Sequence, residues 1–542
     1  MAVRVQIDDR VRDEASGVSL FECADRLGVH VPTSCVRQGK CRECLVEVQS
    51  GDELLSARSP EEEHLQDGFR LACRARVAAA NGTIVCHTMR RGELRIEASG
   101  TGCGEVDPVD AAVQRSGTDV VRAGEVIATN VERLLGLALD VGTTTVVVRL
   151  VDLESGLVLA TQSFENPQRF GGSEVMARIL YDDQHAGRLL QRTLLAYLAH
   201  AIDELPCEPD EIFDVCVVGN STMRDLLFGL NVHSIGQRPY RSLTEEAWRA
   251  GESATTSLDL LARKLRLPVH ASAHVYGAPL VSGHVGADAA AGVLATGIAR
   301  AEGLSVLMDI GTNTELVVGN RDRLVAASCP AGPAFEGGGV TCGMSAFAGA
   351  IERARARADG GFDCEVIGGG AASGICGSGL VDVLGELVRT GRMNSRGRFE
   401  DELQRVVLDA EHGIFFEERD VNELAQAKGA NVAGLRALLA TVGARIDDVE
   451  RLWLAGGFAR HIELGAARRI GLVPNLPDER IERVGNVAIE GAMRLLLSQS
   501  ARSELDRTVQ GIEHVELELH EDFFDFFVDG CQFMPVEDAC EA

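Results

Sequence analysis

Positive charge is scarce in this chain: 53 Lys and Arg stand against 81 Asp and Glu, a formal net charge of -28 over 542 residues. Binding to nucleic acid or to an anionic membrane surface needs clustered Lys and Arg to offset phosphate charge, so neither partner is expected. Long apolar runs are also missing. No stretch of 18 or more apolar residues occurs, and no cationic start leads into an apolar segment, so the sequence reads as soluble and cytoplasmic. No short repeat or low-complexity tract interrupts it. Cysteine, by contrast, is plentiful at fifteen residues. With no secretory start these do not read as a disulfide framework, and their spacing points to metal ligation instead. An apolar content of 45% over this length is enough for several hydrophobic cores, which predicts three or four domains.

The charge is unevenly spread. Residues 1–95 carry 14 Lys and Arg against 15 Asp and Glu, so nearly all of the net charge lies beyond them. Just past that point, Ala98-Ser-Gly-Thr-Gly-Cys-Gly104 is a small-residue stretch of the kind that joins domains. The reading is an N-terminal domain over 1–97, a linker over 98–130, a middle region over 131–210 and a C-terminal region over 211–542. Beyond the linker, β-branched runs ending in glycine turns alternate with Leu- and Ala-rich helical segments, the pattern of a layered α/β architecture.

In the N-terminal domain, Val3-Arg-Val-Gln-Ile7 alternates as a strand and Ser19 to Leu27 has helical spacing. The loop Ser34-Cys35-Val-Arg-Gln-Gly39-Lys-Cys41-Arg-Glu-Cys44 follows, then a strand from Leu45, and a fourth cysteine at Cys73. The spacing Cys35-x5-Cys41-x2-Cys44-x28-Cys73 resembles that of the [2Fe-2S] ferredoxins, with one residue more in the first gap than the plant type. Three thiolates on one glycine-containing turn can wrap one side of a small cluster while backbone N–H groups offset its negative charge. The alternative is a zinc site, which usually presents its thiolates as two short C-x2-4-C knuckles, whereas only one such pair occurs here. Cys86 and Cys23 lie on strand-like and helical faces and read as packed core thiols.

Three further signatures follow. Asp140-Val-Gly142-Thr143-Thr144-Thr145 joins a strand to a returning strand through a glycine turn, and Asp309-Ile-Gly311-Thr312-Asn313-Thr314 repeats the design about 170 residues later. Each offers a strand-end aspartate able to hold the water shell of Mg²⁺, and a Gly-Thr turn whose N–H and hydroxyl groups suit phosphate oxygens. The third is Ala455-Gly456-Gly457-Phe458, where glycines let a base and ribose approach the backbone. The order resembles the two phosphate motifs and the adenosine motif of the acetate and sugar kinase, Hsp70 and actin superfamily.

An iron-sulfur module ahead of such an ATPase resembles the reductive activators of corrinoid proteins, over nearly the whole chain. Asn166-Pro-Gln168, Gly219-Asn220-Ser-Thr-Met223, Gly286-Ala-Asp288, Pro333-Ala-Phe-Glu336-Gly337 and Gly374-Ile-Cys376-Gly377-Ser-Gly379 also match, as do a closing strand at 515–519 and Phe523 to Phe527. Departures occur at Gly172-Ser173-Glu174-Val175, where the family usually has Gly-Ala-Asp-Val, and in a glycine-poorer cysteine loop. No C-terminal C-x2-C-x2-C run follows, so relatives with two [4Fe-4S] clusters are not matched.

The resemblance implies a multidomain fold: an α+β (β-grasp) [2Fe-2S] ferredoxin-like domain followed by a two-lobed α/β actin-like ATPase. It implies one-electron reduction of inactive Co(II) to Co(I) in a corrinoid protein of a methyltransferase system, driven by ATP. The cluster ligands would be Cys35, Cys41, Cys44 and Cys73. Asp140, Asp309, Glu336 and Asp288 would serve catalysis with Mg²⁺, and Gly377 and Gly379 join the nucleotide-binding candidates. A low-potential electron donor protein and a homodimer are expected. Arg37, Lys40, Arg42, Arg70, Arg74 and Arg76, around the cysteines in sequence, are read as the face on which an acidic donor docks. The alternatives are a small-molecule kinase of the same superfamily and a zinc-stabilised, nucleotide-gated scaffold.

Overall fold

The computed structural model describes residues 2–89, 110–400, 404–457 and 459–537. The first unit is a five-stranded sheet in the order Arg10–Glu14, Val3–Ile7, Thr83–Thr88, Leu45–Ser50, Phe69–Leu71. Only Val3–Ile7 and Thr83–Thr88 pair in parallel; the other neighbours are antiparallel. The helix Leu20–Leu27 buries Leu20, Phe21, Cys23 and Ala24. Its ends are written in sequence: Ser19 and Glu22 form a reciprocal capping box, and Gly28 closes it in the left-handed region. This is the expected β-grasp arrangement, with Cys23 and Cys86 fully buried in its core.

Two larger sheets follow, each of six strands. The first runs Val158–Glu165, Thr145–Asp152, Leu135–Val141, Ile212–Gly219, His274–Gly277, Leu258–Leu261. The second runs Ile481–Gly485, Arg451–Ala455, Ser305–Ile310, Thr314–Gly319, Leu324–Cys329, Ile512–His514. Their central strands are buried on both faces, which is why Leu135–Val141 reads as a continuous apolar run rather than an alternation. The helices Ala287–Thr296 and Val487–Leu497 pack on one another between the two lobes.

Three expectations need correction. Residues 110–130 do not behave as a linker: Val113–Ser116, Asp119–Arg122 and Glu125–Thr129 form an antiparallel meander. It buries Val113 and Val120 against the first lobe, and Arg122 pairs with the buried Asp214 at 3.1 Å. A boundary at 210 would cut the first sheet, whose strands extend from Leu135 to Gly277. The closing strand is Ile512–His514, not 515–519, where Leu517–Leu519 is a single 3-10 turn.

Candidate functional site

Each Gly-Thr turn caps an antiparallel hairpin at the mouth of the cleft between the lobes. In the first, Leu135–Val141 returns as Thr145–Asp152; in the second, Ser305–Ile310 returns as Thr314–Gly319. The two turns meet across the cleft. Thr144 Oγ1 lies 2.9 Å from Thr312 Oγ1, and both hydroxyls donate to Glu336 Oε2, at 3.1 and 2.6 Å. The cleft holds a cavity of about 120 Å³. Asp140, Gly142, Thr143, Thr144, Thr145, Asp288, Asp309, Gly311, Thr312, Asn313, Glu336, Gly456 and Gly457 line it. Gly456 has φ of 108° and a Cβ there would stand 2.1 Å from the Ile310 carbonyl oxygen, so the close approach of the adenosine-type turn to the second hairpin requires glycine.

The other expected residues lie elsewhere. Thr314 is buried at the start of its strand. Gly377 and Gly379 open the helix Gly377–Arg389, where a Cβ on Gly379 would clash with the Ile351 carbonyl oxygen at 2.3 Å. Phe458 lies outside the described residues.

The cleft is electrostatically tense. Burial raises Asp140 to about 7, against a hydrogen bond from Asn486, and Asp288 to about 6. Burial, with the neighbouring Asp288 and Asp140, raises Asp309 to about 8, and burial raises Glu315 and Glu336 as well. Five carboxylates on one cleft repel one another unless a cation or protons intervene, and since no three of them converge on a single point they suit a hydrated divalent ion met through its waters. Behind the first turn sits a buried cation. Arg178 is fully buried, donates to Thr143 O at 2.6 Å and to Gly172 O at 2.9 Å, and burial lowers its pKa to about 9.

Sequence reasoning missed Glu315, Asn486 and Arg178. Glu315 could have been found, because the hairpin register sets it directly opposite Asp309. Asn486 Nδ2 donates to Asp140 Oδ2 at 2.8 Å while its Oδ1 caps the helix Val487–Leu497, accepting from Ile489 N at 3.0 Å. Nothing local announces that contact across 346 residues.

In the cysteine loop, Val36, Arg37, Gly39 and Arg42 all have positive φ, between 53° and 74°. Around the coiled loop, against the burial that would raise it, the backbone N–H groups of Cys41, Gln38 and Lys40 hold the Cys35 pKa down. Gly39 adopts its φ of 74° without the strain that a side chain would bring there. The sulfurs associate in two pairs: Cys44 with Cys73 at 3.4 Å, and Cys35 with Cys41. Among the described residues no three metal-binding side chains converge on one point, as a mononuclear zinc site would require. Two thiol pairs on an amide-lined loop fit a two-iron cluster, one pair to each iron.

The cations around this loop are mostly engaged. Arg70 is buried, paired with Glu62 and Asp52 at 2.9 Å each; Arg37 pairs with Asp25 at 2.7 Å and Arg74 with Glu61 at 2.8 Å. The six-residue docking face read from sequence is therefore not a set of free charges.

Comparison with known proteins agrees over most of the chain. A profile of the 2Fe-2S iron-sulfur cluster binding domain matches residues 4–78, the RACo middle region matches 135–301, and the C-terminal domain of RACo, its ASKHA domain, matches 303–540. The corrinoid activation enzyme RamQ of Eubacterium limosum is 30% identical over 430 residues, 74% of this chain and 70% of that protein. The chain belongs to the RACo family of corrinoid activators. The [Co(II) methylated amine-specific corrinoid protein] reductase of Methanosarcina barkeri is 24% identical, over 73% of this chain and 76% of its own. A solved structure, the reductive activator for corrinoid, iron-sulfur protein, aligns over 98% of both chains with a TM-score of 0.71 and 27% identity. The family's domains thus divide near residue 302, in line with the sheet topology.

Proposed function

We propose that this protein uses ATP to reduce a corrinoid protein of a methyltransferase system from Co(II) to Co(I), returning an inactivated methyl carrier to its cycle. The observation that carries the reading is one chain holding both two cysteine pairs, built from the 35–44 loop and Cys73, and a two-turn phosphate clamp. When bound at Cys35, Cys41, Cys44 and Cys73, a [2Fe-2S] cluster supplies electrons one at a time. The loop's N–H groups stabilise the negative charge of the thiolates. On the ATPase side, Thr144 and Thr312 and their turn amides bond phosphate oxygens, and Gly456 and Gly457 admit the nucleoside. Asp140, Asp309 and Asp288 orient Mg²⁺ through its waters. Glu336, which accepts from both threonines, orients the attacking water.

Reduction of Co(II) is uphill because its axial ligands favour Co(II) over Co(I). Each tenfold of differential ligand binding that is removed raises the potential by about 59 mV, so ATP-driven distortion of the partner helps the transfer. A low-potential donor protein supplies the electron, the protein acts as a homodimer, and its thiol-rich composition suits the reducing cytoplasm. No helix among the described residues is long and apolar enough to cross a membrane.

Asp309→Asn tests the division of labour. The variant should load iron and bleach with dithionite as the parent does, yet lose ATP hydrolysis and ATP-stimulated Co(I) formation together. Parent-level Co(I) formation with ATP would show that the drive does not originate at this clamp.

A further inference from the structure

The ferredoxin-like domain and the first phosphate turn are held by the same two short segments. The turn's three carbonyls are all engaged from behind. Asn166 donates from N to Thr144 O at 2.7 Å and from Nδ2 to Gly142 O at 2.8 Å, and Arg178 Nη2 donates to Thr143 O at 2.6 Å. A few residues away, both segments grip the other domain. Arg169 pairs with Glu47 at 3.3 Å, and Phe170 O accepts from Gln66 N at 3.4 Å. Tyr181, one helical turn beyond Arg178, donates from Oη to His64 O at 2.8 Å. The rings of His64, Phe170 and Tyr181 meet edge to face, at 5.9 and 5.4 Å between neighbours. At the cysteine loop itself, His200 of the first lobe lies 3.8 Å from Glu43, the residue before Cys44.

These groups are packed rather than loosely tethered. Asn166, Arg178 and Phe170 are at most 1% exposed and Tyr181 is 5% exposed, and the apolar cores of the two units are continuous. Interiors of that density transmit displacement instead of absorbing it. The first lobe must also be displaced when phosphate enters. Thr144 and Thr312 hydroxyls stand 2.9 Å apart. A phosphate oxygen seated between them and accepting from both at about 2.7 Å needs the hydroxyls roughly 4–5 Å apart, since a 2.9 Å separation would close the angle at that oxygen to about 65°.

We propose that the ferredoxin-like domain rides on the first lobe as one rigid body, so that phosphate entering between Thr144 and Thr312 swings the cysteine loop relative to the second lobe. The inference rests on the nucleotide-binding reading above but not on the cluster. It makes Asn166 and Arg178 positioning residues that carry the movement of the turn, and Arg169, Phe170 and Tyr181 the seat that delivers it.

Distances between spin-labelled non-natural amino acids test this, with labels at the exposed positions Glu53 in the ferredoxin-like domain, Arg192 in the first lobe and Glu411 in the second. Adding a non-hydrolysable ATP analogue with Mg²⁺ should leave the 53–192 distance narrow and unchanged and shift the 53–411 distance by several ångströms. A shift in 53–192, or no shift in either, overturns the proposal. Glu47→Arg combined with Tyr181→Phe should broaden 53–192, and restoring the charge pair with Arg169→Glu should narrow it again. A 53–192 distance indifferent to these changes would show that the named contacts are not the seat. Calorimetry of the analogue on the same samples separates the causes: absence of binding defeats the nucleotide reading and the swing with it, and binding without a shift defeats the swing alone.

Discussion

Asn486 performs two tasks that substitution can separate. Its Oδ1 caps the helix Val487–Leu497 by accepting from Ile489 N, and its Nδ2 donates to the buried Asp140. Serine keeps the first task, because it ranks with asparagine as an N-cap, so the cap should change by no more than a few tenths of a kcal/mol, and any larger destabilisation of Asn486→Ser is the loss of the bond to Asp140, at most about 3 kcal/mol. It is too short to keep the second. A hydrogen bond to a charged group contributes about 1.5–3 kcal/mol, which at about 1.36 kcal/mol per decade corresponds to a loss of roughly ten- to 150-fold. That loss should appear in kcat/KM for ATP hydrolysis, if the bond holds Asp140 in its working position. Asn486→Asp should also keep the cap but set a second carboxylate beside Asp140, and should be at least as damaging. The assays are steady-state ATPase and thermal unfolding on the same preparations. An Asn486→Ser protein within twofold of the parent in kcat/KM would refute the reasoning. So would a destabilisation well beyond about 3 kcal/mol, more than the lost bond to Asp140 accounts for, because the cap would then have failed.

Cys73→Ser should abolish iron loading and visible absorbance, while Cys86→Ser, altering a core thiol, should retain both; iron analysis and spectra of the two variants check this. Of the cations once read as a docking face, Lys40 is exposed on the cysteine loop, so Lys40→Glu should slow reduction by an acidic donor and flatten its salt dependence. A rate unchanged from low to high salt would remove steering at this loop. Lys428 is fully buried, donating to Gly530 O and to Gln532 O at 2.7 Å, and burial lowers its pKa to about 7. The unfolded value lies near 10.4, so the folded chain binds fewer protons between those limits and Lys428 adds a rise of stability with pH across that window. Lys428→Met should flatten that slope, and parallel melting-temperature curves for the two proteins would contradict the burial argument.

The parts of the fold legible in the sequence are those fixed by short-range chemistry. Asp-x-Gly-Thr between two apolar runs specifies a hairpin with its aspartate near the strand end, and both turns lie in such hairpins. The misjudged linker contains the same kind of signal at lower contrast. Val113–Ser116 and Asp119–Arg122 are joined across Gly117, and the next reversal has Ala123 and Gly124 both at positive φ, the geometry of a tight hairpin turn. Strands this short and this polar carry little hydrophobic pattern, so the neighbouring small-residue stretch dominated the reading. The boundary at 210 failed for a different reason. A parallel partner arrives only after a crossover, so Ile212–Gly219 joins Leu135–Val141 in one sheet with about 70 residues between them, and no local feature marks the two as neighbours.

The site shows the same division. The cysteines and the phosphate turns are motifs, and spacing alone found them. Arg178, Asn486 and Tyr181 belong to no motif; each matters because of a partner far away in sequence, and each is buried where an unsatisfied polar group would be costly. Burial also overturned the charge map. Arg70 stands three residues before Cys73, which suggested a surface role, yet it is 1% exposed and held by Glu62 and Asp52. Sequence proximity to a redox centre says nothing about which way a side chain points. The strand Phe69–Leu71 sends Arg70 into the domain, and the buried Glu62 that meets it also accepts from Leu71 N at 3.0 Å. The pair therefore fixes the strand that leads into Cys73. Arg70 supports the cysteine site through the backbone that positions Cys73, not through the field it presents to a partner.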